Sequence, residues 1–160
     1  MLRRLAPCLL LLLASAQCHA APVAAGGFEF LNVSADHASE DPDRDALLLR
    51  GNLRLQTHEW LIRAELAIVH GPTNRPSNVR LEGSPVNLRS VDTEGDDDLE
   101  ASAPVMEYDR SNNSLLFSGG AFLRQGRQVL RGDIIEYDIG TDRFRARGAD
   151  GITIEALPDD

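Results

Sequence analysis

Apolar and polar residues alternate with a period of two along most of this chain, most cleanly from Leu115 to Gly148. Leu115, Phe117, Ala121 and Leu123 share one parity, and further on Ile135, Tyr137 and Ile139 alternate with Ile134, Glu136 and Asp138. That is the period of a pleated strand with two distinct faces. Gln125-Gly126-Arg127 and Gly140-Thr141-Asp142 carry turn-forming residues, so the stretch predicts three consecutive strands. Both parities of Ile134–Ile139 hold apolar residues, which leaves open the face that turns inward.

The pattern recurs upstream. Phe28–Val33 predicts a first strand with Phe28 and Phe30 on one face, and Leu47–Gln56 places Leu47, Leu49, Leu53 and Leu55 together around Gly51. Ile152–Ala156 predicts a last strand, stopped by Pro158. Ser34–Asp45 reads as a solvated acidic turn around Pro42. His58–His70 is ambiguous alone, because Trp60, Leu61, Ala64, Ala67 and Ile68 also suit a helical stripe. An internal repeat decides it. A shift of 68 residues lays Leu49-Arg50-Gly51 on Phe117-Ser118-Gly119 and Leu55 on Leu123. The same shift lays Ile62–Leu66 on Leu130–Ile134, whose central Gly132 disfavours a helix. A shift of 29 lays Val105–Asp109 on Ile134–Asp138.

Gly51, Gly83, Gly119 and Gly148 each close an alternating run, so the chain reads as strand–turn–strand units. No unit can bury its own apolar face. Stacking the units predicts an all-β roll with a continuous apolar lining, and leaves the strands near Phe28 and Ile154 as sheet edges.

Composition adds a targeting segment and removes several chemistries. Arg3 and Arg4, the apolar Leu9–Ala14 and Cys18-His19-Ala20-Ala21 predict a signal peptide over residues 1–20. Its apolar core is shorter than the roughly 20 residues that span a bilayer. A lipoprotein site at Cys18 competes, and Gln17 before it fits that poorly. Residues 21–27 then form a flexible leader, 28–157 the domain and 158–160 a tail. Cleavage removes Cys8 and Cys18, the only cysteines, and with them any disulfide or thiol chemistry. The net charge of −9 argues against nucleic acid as a partner. No metal or cofactor is predicted: His37, His58 and His70 lie outside metal-ligand spacings, and no phosphate-loop or nucleophile-elbow motif occurs. Glu136/Asp138 and Glu107/Asp109 belong to the repeat itself, so nothing here marks an enzyme.

The segment LLFSGGAFLRQGRQVLRGDIIEYDIGTDRFRARG resembles the repeat of the OstA-like family, and further matching pieces follow in that family's order. They are Phe28-Glu29-Phe30, Leu49-Arg50-Gly51-Asn52, Arg63-Ala64-Glu65, Leu81-Glu82-Gly83-Ser84-Pro85-Val86 and Met106-Glu107-Tyr108. The resemblance implies a twisted, semi-open β-jelly roll in the periplasm, whose interior holds the acyl chains of lipopolysaccharide and performs no catalysis. It also implies head-to-tail self-association, and pairing with β-jelly-roll domains of inner-membrane and outer-membrane transport components. By position it assigns Phe28, Phe30, Leu88 and Tyr108 to lipid contact, with Phe117, Tyr137 and Phe144 added by repeat symmetry. Phe28 and Phe30 at one end and Ile152 and Ile154 at the other fall on the joining edge strands. The family's lysines are absent, and Arg75, Arg80 or Arg89 could stand near lipid phosphates instead. A β-edge adaptor that joins such domains without holding lipid is the second reading.

Overall fold

Alternation extends across ten strands. The computed structural model describes residues 29–91 and 98–157, so the signal segment, the leader, Phe28, residues 92–97 and the tail lie outside the described residues. The strands are β1 (Asn32–Ser34), β2 (His37–Asp41), β3 (Ala46–Gln56), β4 (Trp60–His70), β5 (Asn78–Ser90), β6 (Leu99–Asp109), β7 (Ser114–Gln125), β8 (Gln128–Asp138), β9 (Arg143–Arg147) and β10 (Thr153–Ala156). All pair antiparallel in one sheet of order β1-β3-β4-β5-β6-β7-β8-β10, with β2 beside β3 and β9 beside β8. Within His58–His70, Trp60–His70 is a strand, as the repeat requires.

Every long strand is interrupted near its middle. Register slips occur between Arg50 and Leu53, Arg63 and Leu66, Glu82 and Val86, Ser102 and Val105, and Ser118 and Ala121. On β8 the outer neighbour changes from β10 at Arg131 to β9 at Ile134. These bulges line up into a crease that divides the sheet into two half-sheets, since a bulge bends its strand and increases local twist. The first half-sheet holds β2, Ala46–Arg50, Leu66–His70, Asn78–Glu82, Val105–Asp109, Ser114–Ser118, Ile134–Asp138 and β9. The second holds β1, Leu53–Gln56, Trp60–Arg63, Val86–Ser90, Leu99–Ala103, Ala121–Gln125, Gln128–Arg131 and β10. Their inward faces meet in one core that runs from Phe30 to Tyr137. The result is a creased, twisted β-jelly roll.

Four expectations change. The glycines at 51, 83 and 119, expected to close alternating runs, mark bulges inside continuous strands. Gly51 and Gly119 adopt φ of +78° and +94°, and a β-carbon on Gly119 would lie 3.2 Å from Pro104 Cγ. Gly83-Ser84-Pro85 is likewise a crease within β5. The acidic Ser34–Asp45 segment contains β2 and the turn into β3, where Arg44 pairs with Asp41 at 2.7 Å. The first strand starts at Asn32, and Phe30 is buried just ahead of it while Leu31 N donates to Gln56 O at 2.7 Å. Ile152 precedes the last strand, which begins at Thr153.

Candidate functional site

Cross-strand register converts the alternation into ladders. In the first half-sheet one ladder reads Ala38–Leu49–Ala67–Leu81–Met106–Phe117–Ile135–Ala146 across eight strands, and every member is apolar. Beside it runs Leu47–Val69–Val79–Tyr108–Leu115–Tyr137–Phe144. The second half-sheet carries Val33–Leu55–Ile62–Leu88–Ala101–Leu123–Leu130–Ile154. Leucine, isoleucine, valine and aromatic side chains suit such a surface because they pack against cross-strand neighbours. The central members are fully buried and the ladders end at partly or fully exposed residues, among them Ile154.

Of the seven residues proposed for lipid contact, five fall on these ladders. Leu88 sits in the second half-sheet, Phe117 in the first ladder, and Tyr108, Tyr137 and Phe144 in the ladder beside it. Phe30 joins the core at its margin, and Phe144 is half-buried. The open question of parity is settled: Ile135 and Tyr137 face inward, whereas Ile134 is 37% exposed on the outside. The ladders also include Leu49, Leu55, Ile62, Leu81, Met106, Leu123 and Leu130, which were not singled out. Their signal was present, because a shift of 68 superposes Leu49 on Phe117, Leu55 on Leu123 and Ile62 on Leu130. Of the edge candidates, Ile152 and Ile154 are exposed, and β10 has one strand neighbour among the described residues.

Chemistry in the interior is sparse. Among the described residues, Thr57 is the buried polar side chain, and its hydroxyl caps the β3–β4 turn by accepting from Trp60 N at 2.9 Å and Glu59 N at 3.2 Å. No group of acidic, histidine or cysteine side chains could hold a metal among the described residues. Of the arginines considered, Arg80 is paired with Glu82 at 2.9 Å and Glu107 at 2.6 Å. Arg89 lines an outer groove with Arg63, and the carbonyl of Arg75 accepts from Arg110.

The interior is filled by its own side chains: Leu53, Leu55, Ile62, Leu88 and Leu123 are each at most 1% exposed. It opens where the free ends of the half-sheets meet. A cavity of about 350 Å³ lies there, between His58, Trp60 and Leu99 on one side and Tyr137, Ile139 and Asp142 on the other. The Tyr137 hydroxyl donates to Asp142, and Gln125 Nε2 donates to both Asp142 carboxylate oxygens at 3.0 Å. Burial, and then the hydrogen bond to Asp142, push the Tyr137 phenol well above its ordinary pKa.

The chain is similar to known proteins along most of its length. The family described as "LptA/(LptD N-terminal domain) LPS transport protein" matches residues 32–143. The lipopolysaccharide export system protein LptA of Haemophilus influenzae is 22% identical over 121 residues, covering 74% of this chain and 70% of that protein. The crystal structure of LptH from Pseudomonas aeruginosa, described as the LptA-homologous periplasmic component of the lipopolysaccharide transport device, superposes with a TM-score of 0.69. It is 19% identical, and the match covers 79% of this chain and 94% of that one.

Proposed function

We infer function from one premise: this chain belongs to the LptA/LptD N-terminal-domain family of lipopolysaccharide transport proteins. It is a periplasmic carrier that shelters the acyl chains of lipopolysaccharide inside the creased roll. The observation that carries this reading is the set of apolar ladders, continuous from strand to strand. Each CH₂ kept from water contributes about 0.8 kcal/mol, so one long chain left exposed would cost on the order of 10 kcal/mol. A carrier across an aqueous space therefore needs an apolar interior, and the reading assigns it no reaction.

Passage between membranes calls for neighbours. β1, β2, β9 and β10 each pair with a single strand among the described residues, so each keeps an edge for strand addition. The two sides differ in charge: β2 and its turn carry Glu40, Asp41, Asp43 and Asp45 against a single arginine, Arg44, whereas β9 carries Arg143, Arg145 and Arg147. That complementarity favours head-to-tail contact with a second copy, and in this reading the jelly-roll domains of the inner- and outer-membrane transport components join at the same free edges. The test is binding of labelled lipopolysaccharide to the purified protein. Saturable binding, competed by long-chain but not short-chain amphiphiles, is expected; protein that takes up no acylated ligand refutes the carrier and leaves the β-edge adaptor.

A further inference from the structure

We propose that acyl chains enter this protein sideways, through the seam between the free ends of the two half-sheets, and that Gln125, Asp142 and Tyr137 form the clasp that keeps this port shut. The proposal rests on the carrier reading above and assigns it an entrance.

Strand geometry locates the seam. Gln125 begins the turn into β8, and Asp142 lies in the turn beyond the other end of β8. The ten residue steps from Gln128 to Asp138 would separate those turns by about 33 Å on a straight strand. Instead Gln125 and Asp142 are joined by hydrogen bonds of 3.0 Å. The crease has folded the sheet until the end of one half-sheet touches the end of the other, and these bonds cross the junction. Backbone bonds near the seam stay within one half-sheet: Val91 N to Glu59 O, Gly126 N to Asp98 O and Ile139 N to Asn113 O. Side chains therefore hold the junction at this point, and side-chain bonds can open without unravelling a strand ladder.

The lining of the port suits an acyl chain. Trp60 and Leu99, 5% and 4% exposed, form its apolar wall and face inward with Ile62 and Ala101. The Tyr137 ring belongs to a ladder while its hydroxyl reaches the clasp. A chain passing Asp142 would move directly onto the ladder surface. Asp142 holds φ of +54° in the β8–β9 turn, and its carboxylate accepts from two partners that belong to different half-sheets. Hydrogen bonds to a charged group are the stronger kind, so one carboxylate can keep the port closed most of the time.

Trp60 is the single tryptophan of the chain and lines the port, which provides a reporter. Gln125→Glu places a second carboxylate against Asp142, and Tyr137→Phe removes the hydroxyl while keeping the ring. Gln56→Glu, exposed at the end of β3 and alternating with the inward Leu55, is the charge control. Acrylamide quenching of Trp60 is measured without ligand, and the rate of energy transfer from Trp60 to added cis-parinaric acid reports uptake, with urea midpoints checked in parallel. Loss of charge-assisted bonds should raise the open fraction, and with it quenching and uptake rate, by roughly tenfold in Gln125→Glu and by less in Tyr137→Phe. Gln56→Glu should match the wild type. Equal quenching and equal uptake rates in wild type and Gln125→Glu overturn the clasp alone. A wild type that never takes up the fatty acid overturns the carrier reading and the port with it.

Discussion

Replacing Phe117 by alanine separates an interior that merely packs from one that also receives a lipid chain. Phe117 is 1% exposed, between Met106 and Ile135 in its ladder, both of them 0% exposed. Removing the ring forfeits roughly 2 kcal/mol of transfer free energy. A void of roughly 100 Å³, at about 24 cal/mol per Å³, adds about 2.4 kcal/mol. The expected loss is therefore about 4 kcal/mol, which a domain with about 5–15 kcal/mol of stability survives. A bound acyl chain can fill the void and recover its part of the loss. In saturating lauric acid the deficit should shrink to about 2 kcal/mol, equivalent to roughly 30-fold tighter binding by the variant. Urea unfolding with and without the fatty acid measures both numbers. Leu48→Ala is the control: Leu48 is 9% exposed, stands opposite Ile68 and lies outside the core cluster, so its deficit should not depend on ligand. A Phe117→Ala deficit that is identical with and without a ligand that the wild type binds would refute the reasoning.

Three further outcomes follow from local features. Thr57→Val keeps the shape of the side chain but deprives the buried Trp60 N–H of its acceptor, so it should lower stability by about 2 kcal/mol, with Thr57→Ser restoring most of it in urea titrations. Folding holds the Tyr137 phenol neutral, so its contribution is complete below the ordinary tyrosine pKa and is lost as pH rises past about 10. The chain has no lysine to mask this, and Tyr137→Phe should flatten the fall of the urea midpoint between about pH 9 and 11.5. Replacing Arg143, Arg145 and Arg147 together by glutamate should abolish head-to-tail assembly in sedimentation, and raising salt from about 0.05 to about 0.5 M should weaken it in the wild type; assembly indifferent to both would remove charge from the account.

Much of the fold was legible because the repeat records position in a ladder. Residues that superpose at a shift of 68, such as Leu55 and Leu123, stand in one row, and so do Met106 with Ile135 and Tyr108 with Tyr137 at a shift of 29. The creases read in the sequence as the ends of alternating runs, because a bulge asks for the same residue as a strand end or turn: one that tolerates positive φ, as at Gly51 and Gly119. β2 escaped notice because His37-Ala38-Ser39-Glu40-Asp41 sits at an edge with almost no buried face, so alternation had nothing to mark. The clasp was illegible for another reason. Gln125 and Asp142 are ordinary turn residues, and only the folding of the crease brings their turns together.

Each ladder has a further property that bears on movement. Adjacent strands are about 4.8 Å apart, so the eight-membered ladders extend for about 34 Å across the strand direction. With the half-sheets parted, a hydrocarbon chain lying along one of them would meet aliphatic or aromatic neighbours at every step, with no polar group to mark a preferred stop. Its free energy changes little as it shifts by one strand spacing, so holding it tightly and letting it slide are compatible. A pocket shaped to one lipid would trap its cargo; a surface that repeats itself leaves the direction of travel to whatever waits at either end.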